Sequence, residues 1–125
     1  DGAHNPTKMR AFLENLKKLY PKEKKLFIVG FKFDKDIKKM LKEILPVADQ
    51  IIVTEFKGKT DMKVHASAKA TAVAKEIKKL SNKVIKVEKN SEKAFKTALK
   101  TKTELLVVTG SLYLVGEIRN YLFKK

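Results

Sequence analysis

Leu26-Phe27-Ile28-Val29-Gly30 is an unbroken apolar run closed by a glycine, and Phe31-Lys32-Phe33-Asp34-Lys35-Asp36 leads from it into a helical pattern. A run this short with no polar alternation is expected of a strand buried on both faces, the condition of a strand inside a parallel sheet. Working outward, Ile51-Ile52-Val53-Thr54, Val84-Ile85-Lys86-Val87 and Leu105-Leu106-Val107-Val108 read as three more strands. Helical spacing fills the intervals. Pro6 to Tyr20 places Met9, Phe12, Leu13, Leu16 and Leu19 on one stripe, with Pro6 suited to the first turn and Pro21 ending the helix. A second helix buries Ile37, Met40, Leu41, Ile44 and Leu45; Asp34 is its expected cap, Asp36 lies in its first turn, and Pro46 stops it. A third runs from about Ala66 to Leu80, with Ala70, Val73, Ala74, Ile77 and Leu80 facing inward. A fourth, capped by Asn90, carries Ala94, Phe95, Ala98 and Leu99, and the last spans Ser111 to Phe123. Glu55 to Val64 is polar, contains Gly58 and has no period, so it reads as a loop and as the best candidate for a mobile element.

Strands alternating with helices of this length imply right-handed crossovers. The expected fold class is α/β, a Rossmann-like three-layer sandwich with a mainly parallel sheet and helices on both faces. Such sheets bind ligands outside the carboxyl ends of their strands. Gly30 to Asp36, Thr54 to Lys63 and Thr109 to Ser111 all leave those ends and should share one edge.

The 125 residues form one expected domain, 1–125, long enough to bury a hydrophobic core. Cysteine is absent, which excludes disulfides, thiolate metal sites and cysteine nucleophiles. No apolar run approaches the roughly 20 residues of a membrane span, and the polar N-terminus has no h-region, so no membrane association or export is expected and a cytoplasmic location is the expectation. The opening at Asp1 reads as a cut through a larger protein. The net charge of +15 is compatible with nucleic-acid binding through counterion release. However, the excess is lysine spread over every segment, and Arg10 and Arg119 are the only arginines. Base readers lean on arginine's bidentate fork, so a solvated surface that attracts small anions is favoured over a nucleic-acid footprint.

No complete catalytic constellation is present. Gly58-Lys59-Thr60 supplies the tail of a phosphate-binding loop, but Val53 stands where the first glycine is required. With only His4 and His65, a histidine-rich metal site cannot be assembled. What remains are binding groups. Ser111 follows Gly110 at a strand-to-helix junction, where first-turn N–H groups and a hydroxyl could seat a carboxylate; equally, Thr109 or Ser111 could simply cap the helix. Asp1 and His4 lie three residues apart in a Gly-containing turn before a helix; Asp1 could accept from ribose hydroxyls and His4 could donate to a carboxylate or phosphate. The plain alternative is a capping aspartate and a solvent-facing histidine. Asn5 is an expected helix cap. Lys35 could meet a phosphate or carboxylate, or Asp34, Lys35 and Asp36 could form an ordinary charged helix start. His65 fits no motif and reads as a surface residue.

Asp1-Gly2-Ala3-His4-Asn5-Pro6, Gly30-Phe31-Lys32-Phe33-Asp34-Lys35-Asp36 and Thr109-Gly110-Ser111-Leu112-Tyr113-Leu114-Val115-Gly116-Glu117, in this order, resemble the C-terminal domain of the folylpolyglutamate synthase and dihydrofolate synthase family, within the wider Mur ligase group. The resemblance implies an ATP-dependent amide ligase adding L-glutamate to a folate or pterin carboxylate through an acyl phosphate. ATP and Mg2+ would be held mainly by an N-terminal ATPase domain, the partner of this one. It further implies glutamate binding by His4, Thr109, Gly110 and Ser111, and ATP binding by Asp1 and Asn5. Phosphate or carboxylate contacts are implied for Asp34, Lys35, Asp36 and Lys63. Relatives often carry an arginine near the helix after the second strand, where Lys59 or Lys63 stands here. No catalytic proton-transfer residue and no metal ligand is expected in this chain, which should be inactive alone. The family's first motif follows a strand that this chain lacks, so an incomplete sheet with an exposed edge is expected. Two alternatives remain open: a stand-alone glutamate- or nucleotide-binding module without catalysis, and a lysine-rich nucleic-acid-binding domain.

Overall fold

A computed structural model describes residues 5–33, 35–57 and 67–123. The elements alternate as α1 (Pro6–Leu19), β1 (Lys25–Val29), α2 (Ile37–Ile44), β2 (Gln50–Val53), α3 (Ala70–Leu80), β3 (Ile85–Val87), α4 (Ser91–Lys100), β4 (Leu105–Thr109) and α5 (Leu112–Phe123). The four strands form one parallel sheet in the order β3-β2-β1-β4. β1 is central and buried along its whole length, as its unbroken apolar run requires.

Alternate side chains of the strands feed two separate cores. Phe27, Val29, Ile51, Val53 and Val107 pack with α1, α2 and α3. Leu26, Ile28 and Ile52 pack with α4 and α5 on the opposite face. The expected three-layer α/β sandwich is therefore present.

Caps and boundaries follow local chemistry, with four corrections. Asn5 caps α1 by accepting from Lys8 N–H at 2.9 Å, and Asn90 caps α4 by accepting from Lys93 N–H at 3.0 Å, both as expected. The cap of α2, by contrast, is Asp36, which accepts from Lys39 N–H at 3.3 Å; Asp34 lies outside the described residues. Secondly, because Ser67 bridges Lys32 and Ala68 N–H donates to Phe31 O, which ties 67–68 to the exit of β1, α3 starts at Ala70, four residues later than its apolar spacing suggests. Its first N–H is held at 2.8 Å by the Glu55 carboxylate, fifteen positions back in the chain. Thirdly, Leu19 and Leu99 are exposed (71% and 63%). At 100° per residue each lies about a quarter turn off the buried stripe of its helix. Finally, the strand expected at Val84 begins at Ile85, and Val84 is exposed.

The surface ion pair between Arg10 and Glu43, at 2.8 Å, holds the guanidinium above its ordinary pKa through the hydrogen bond and charge of Glu43. It joins two side chains at the surface and adds little to stability. No helix among the described residues is long and apolar enough to cross a membrane.

Candidate functional site

In this strand order the chain proceeds from β1 outward to β2 and β3, then returns to place β4 on the other side of β1. The direction reverses between β1 and β4, and a crevice is expected at the carboxyl ends of those two strands. Gly30 and Gly110 meet there: Gly30 N–H donates to Thr109 O at 3.4 Å. Gly110 has φ +111°, a conformation glycine alone adopts readily, and a Cβ on it would sit 2.5 Å from Gly30 O. The glycine thus lets two strand exits touch, in addition to any ligand it admits. On the far side of β1, Phe31 O accepts from Ala68 N–H at 2.7 Å, and Lys32 bridges Ser67 antiparallel.

Of the residues singled out from sequence, Thr109 is fully buried, with its hydroxyl 3.8 Å from Met9 Sδ. That contact brings the first turn of α1, with Asn5, to the same edge as Gly110. Ser111 is buried too (3% exposed); its Oγ accepts from Tyr113 N–H and its carbonyl from Val115 N–H, both at 3.1 Å, so it caps α5. Among the described residues, the Ser111 hydroxyl proton has no acceptor. Lys35 is half-buried in the bend before α2, and its N–H donates to Lys32 O at 3.2 Å. Asp36 is exposed and pairs with Lys39 at 3.6 Å as well as capping α2. Asp1, His4, Asp34, Lys59, Lys63 and His65 lie outside the described residues. The described exits of β1, β2 and β4 share one edge, as the parallel sheet demands.

The family model described as "Dihydrofolate synthetase, C-terminal domain" matches residues 1–121. The chain belongs to this family. Among solved structures it is similar to E. coli FolC in complex with DHPP and ADP (21% identity, TM-score 0.83, covering 98% of this chain and 27% of that one). It is also similar to folylpolyglutamate synthase from Thermotoga maritima (26% identity, TM-score 0.78, 99% and 27%). A third is the bifunctional folylpolyglutamate synthase/dihydrofolate synthase from Yersinia pestis complexed with AMPPNP and Mn ion (23% identity, TM-score 0.81, 98% and 27%). The chain thus spans about a quarter of the length of these proteins. No curated protein sequence matches it.

Within this dihydrofolate synthetase C-terminal family, the donor set of the chain bears on where a metal would sit. No group of three His, Cys, Asp or Glu side chains that could hold a metal exists among the described residues. They do not fit a divalent cation by themselves.

Sequence reasoning missed a second cluster on the same edge. A cavity of about 310 Å³ lies between the exits of β2 and β3 and α5, lined in part by Glu55, Phe56, Lys57, Ser91, Glu117 and Tyr121. Ser91 Oγ bonds Glu117 Oε1 at 2.9 Å and Tyr121 OH at 2.7 Å. Lys57 N–H donates to Glu117 Oε2, and Phe56 is buried and stacks on Tyr113. Residues 55–57 lie outside helix and strand, as expected of a loop, and each contacts a helix: Glu55 touches α3, and Phe56 and Lys57 touch α5. A signal for the cluster was present, since Tyr113, Glu117 and Tyr121 recur every four residues and so share one face of α5.

Proposed function

We propose that this chain is the C-terminal domain of an ATP-dependent amide ligase that adds L-glutamate to a folate-type carboxylate through an acyl phosphate. The observation that carries the reading is the Gly30–Gly110 junction at the switch point of the sheet, with Ser111 beside it, in a chain of the dihydrofolate synthetase C-terminal family. The E. coli and Yersinia pestis proteins were solved with ADP and with AMPPNP, which supports nucleotide binding by the full-length protein.

In the proposed reaction an ATPase domain of the same protein transfers the γ-phosphoryl group of ATP to the carboxylate of the pterin substrate. The glutamate amine attacks the acyl carbon, loses a proton to solvent and expels phosphate. This chain's part is positioning and charge stabilisation. The first turn of α5 leaves N–H groups without helical partners, and together with the Ser111 hydroxyl they form the proposed seat for a glutamate carboxylate. His4 would complete that seat, Asp1 would accept from the ribose hydroxyls, Asn5 would contribute to ATP binding while capping α1, and Lys35 and Lys63 would supply positive charge to phosphate or carboxylate. Closing this domain onto the ATPase domain would exclude water from the acyl phosphate.

The test is a pair of Michaelis constants in the full-length protein. Ser111→Ala and His4→Ala should raise the glutamate KM far more than the ATP KM. Equal effects on both constants would remove these residues from the amino-acid side.

A further inference from the structure

Glu117 sits on the second turn of α5, and its carboxylate holds two elements distant in sequence. Oε2 accepts from Lys57 N–H at the exit of β2, and Oε1 accepts from the Ser91 hydroxyl at the start of α4. An ionised carboxylate only accepts. The single Ser91 proton therefore points to Glu117, and the 2.7 Å bond to Tyr121 runs from the phenol to Ser91. The result is a directed chain from Tyr121 through Ser91 to Glu117, with Lys57 N–H arriving from the other side.

The same exit of β2 also touches the Gly30–Gly110 junction. Phe56 stacks on Tyr113 with ring centroids 6.0 Å apart, and Tyr113 N–H is the group that Ser111 Oγ caps. A Cβ on Gly30 would lie 3.1 Å from Leu114 Cδ2, 3.2 Å from Thr54 O and 3.6 Å from Phe56 Cδ1, so β1, the β2 exit and α5 are in mutual contact. Moving Phe56-Lys57 would push on Tyr113 and Leu114, and hence on the first turn of α5.

We propose that Glu117 is a positioning residue for the amino-acid seat at Ser111: by holding the β2 exit and the start of α4 on one carboxylate, it fixes the placement of the first turn of α5. This role rests on the reading of Ser111 as a glutamate seat. Glu117 itself does not touch the reacting atoms; it acts through Phe56, Tyr113 and Ser111.

The test compares Glu117→Leu with Glu117→Gln in the full-length protein. Leucine keeps the bulk and removes both acceptors. Glutamine accepts from Lys57 N–H with its oxygen and donates to Ser91, whose proton then turns to Tyr121. Glu117→Leu should raise the glutamate KM by roughly 10- to 100-fold, the scale of a small misplacement, with the ATP KM unchanged and Lys57 amide exchange accelerated. Glu117→Gln should restore both readouts to near wild type. If Glu117→Leu does not fold, Ser91→Ala combined with Tyr121→Phe removes the same chain from the other end and should move the glutamate KM in the same direction. An unchanged glutamate KM, or an equal rise in the ATP KM, would overturn this role alone. A wild-type protein that ligates no amino acid would overturn the reading of the site and this role with it.

Discussion

Replacing Gly110 by alanine tests the junction on which the site is built. Gly110 has φ +111°, and holding a residue with a Cβ in such a region costs about 1–3 kcal/mol. The added Cβ would also stand 2.5 Å from Gly30 O, 3.0 Å from Phe31 Cε1 and 3.1 Å from Phe31 Cδ1. The oxygen belongs to the backbone leaving the central strand, and the ring is fully buried, so neither can swing aside. Overpacking of this kind typically costs about 1–3 kcal/mol more. The two terms together give a loss of about 4 kcal/mol, a large share of the roughly 5–15 kcal/mol that holds a domain folded. At about 4 °C per kcal/mol for a chain of this size, thermal unfolding followed by circular dichroism should show Tm falling by about 15 °C. A Tm within about 4 °C of wild type would refute the claim that the strand exits touch through this glycine.

Gly116→Ala should act oppositely: nothing lies within 4 Å of the new Cβ, the residue is inside α5, and stability should rise by about 1 kcal/mol in urea unfolding; destabilisation would show that α5 is packed differently at that point. Glu55→Ala removes the carboxylate that holds Ala70 N–H and should cost about 1–2 kcal/mol, read by urea unfolding, with amide exchange in the first turn of α3 speeding up most; a loss spread evenly over the chain would contradict the long-range cap. With a net charge of +15, raising ionic strength from about 0.01 to 0.15 M shortens the screening length from about 30 to 8 Å, and Tm should rise as the lysines repel one another less; a fall would mean that attractive surface pairs dominate.

The sheet was legible because its signals are local. Four short apolar runs separated by helical spacing leave few arrangements, and Asn5 and Asn90 announce their helices by side-chain chemistry at the correct position. The start of α3 was not legible, because its cap comes from Glu55 across fifteen residues and nothing near Ala70 records it. Asp34 and Asp36 are both good caps, and only the bend at Lys35, where Ile37 N–H donates to Lys35 O at 2.9 Å, selects the second. At the site, Gly110 and Ser111 could be singled out from sequence. That Gly110 is needed for contact with Gly30 could not, since that contact joins positions eighty residues apart. The Ser91–Glu117–Tyr121 cluster escaped for the same reason: its helical periodicity is visible, but its partners on α4 and after β2 are not.

The measurement that bears most directly on the central claim is ligation by the full-length protein, given ATP with magnesium, L-glutamate and a panel of pterin carboxylates that includes folate and dihydropteroate. A ligase of the proposed kind yields a glutamate-dependent product heavier than one of these acceptors by a single glutamyl residue, with ADP and phosphate formed in equal amount. ATP turnover indifferent to glutamate, or no glutamylated product from any acceptor, would contradict it.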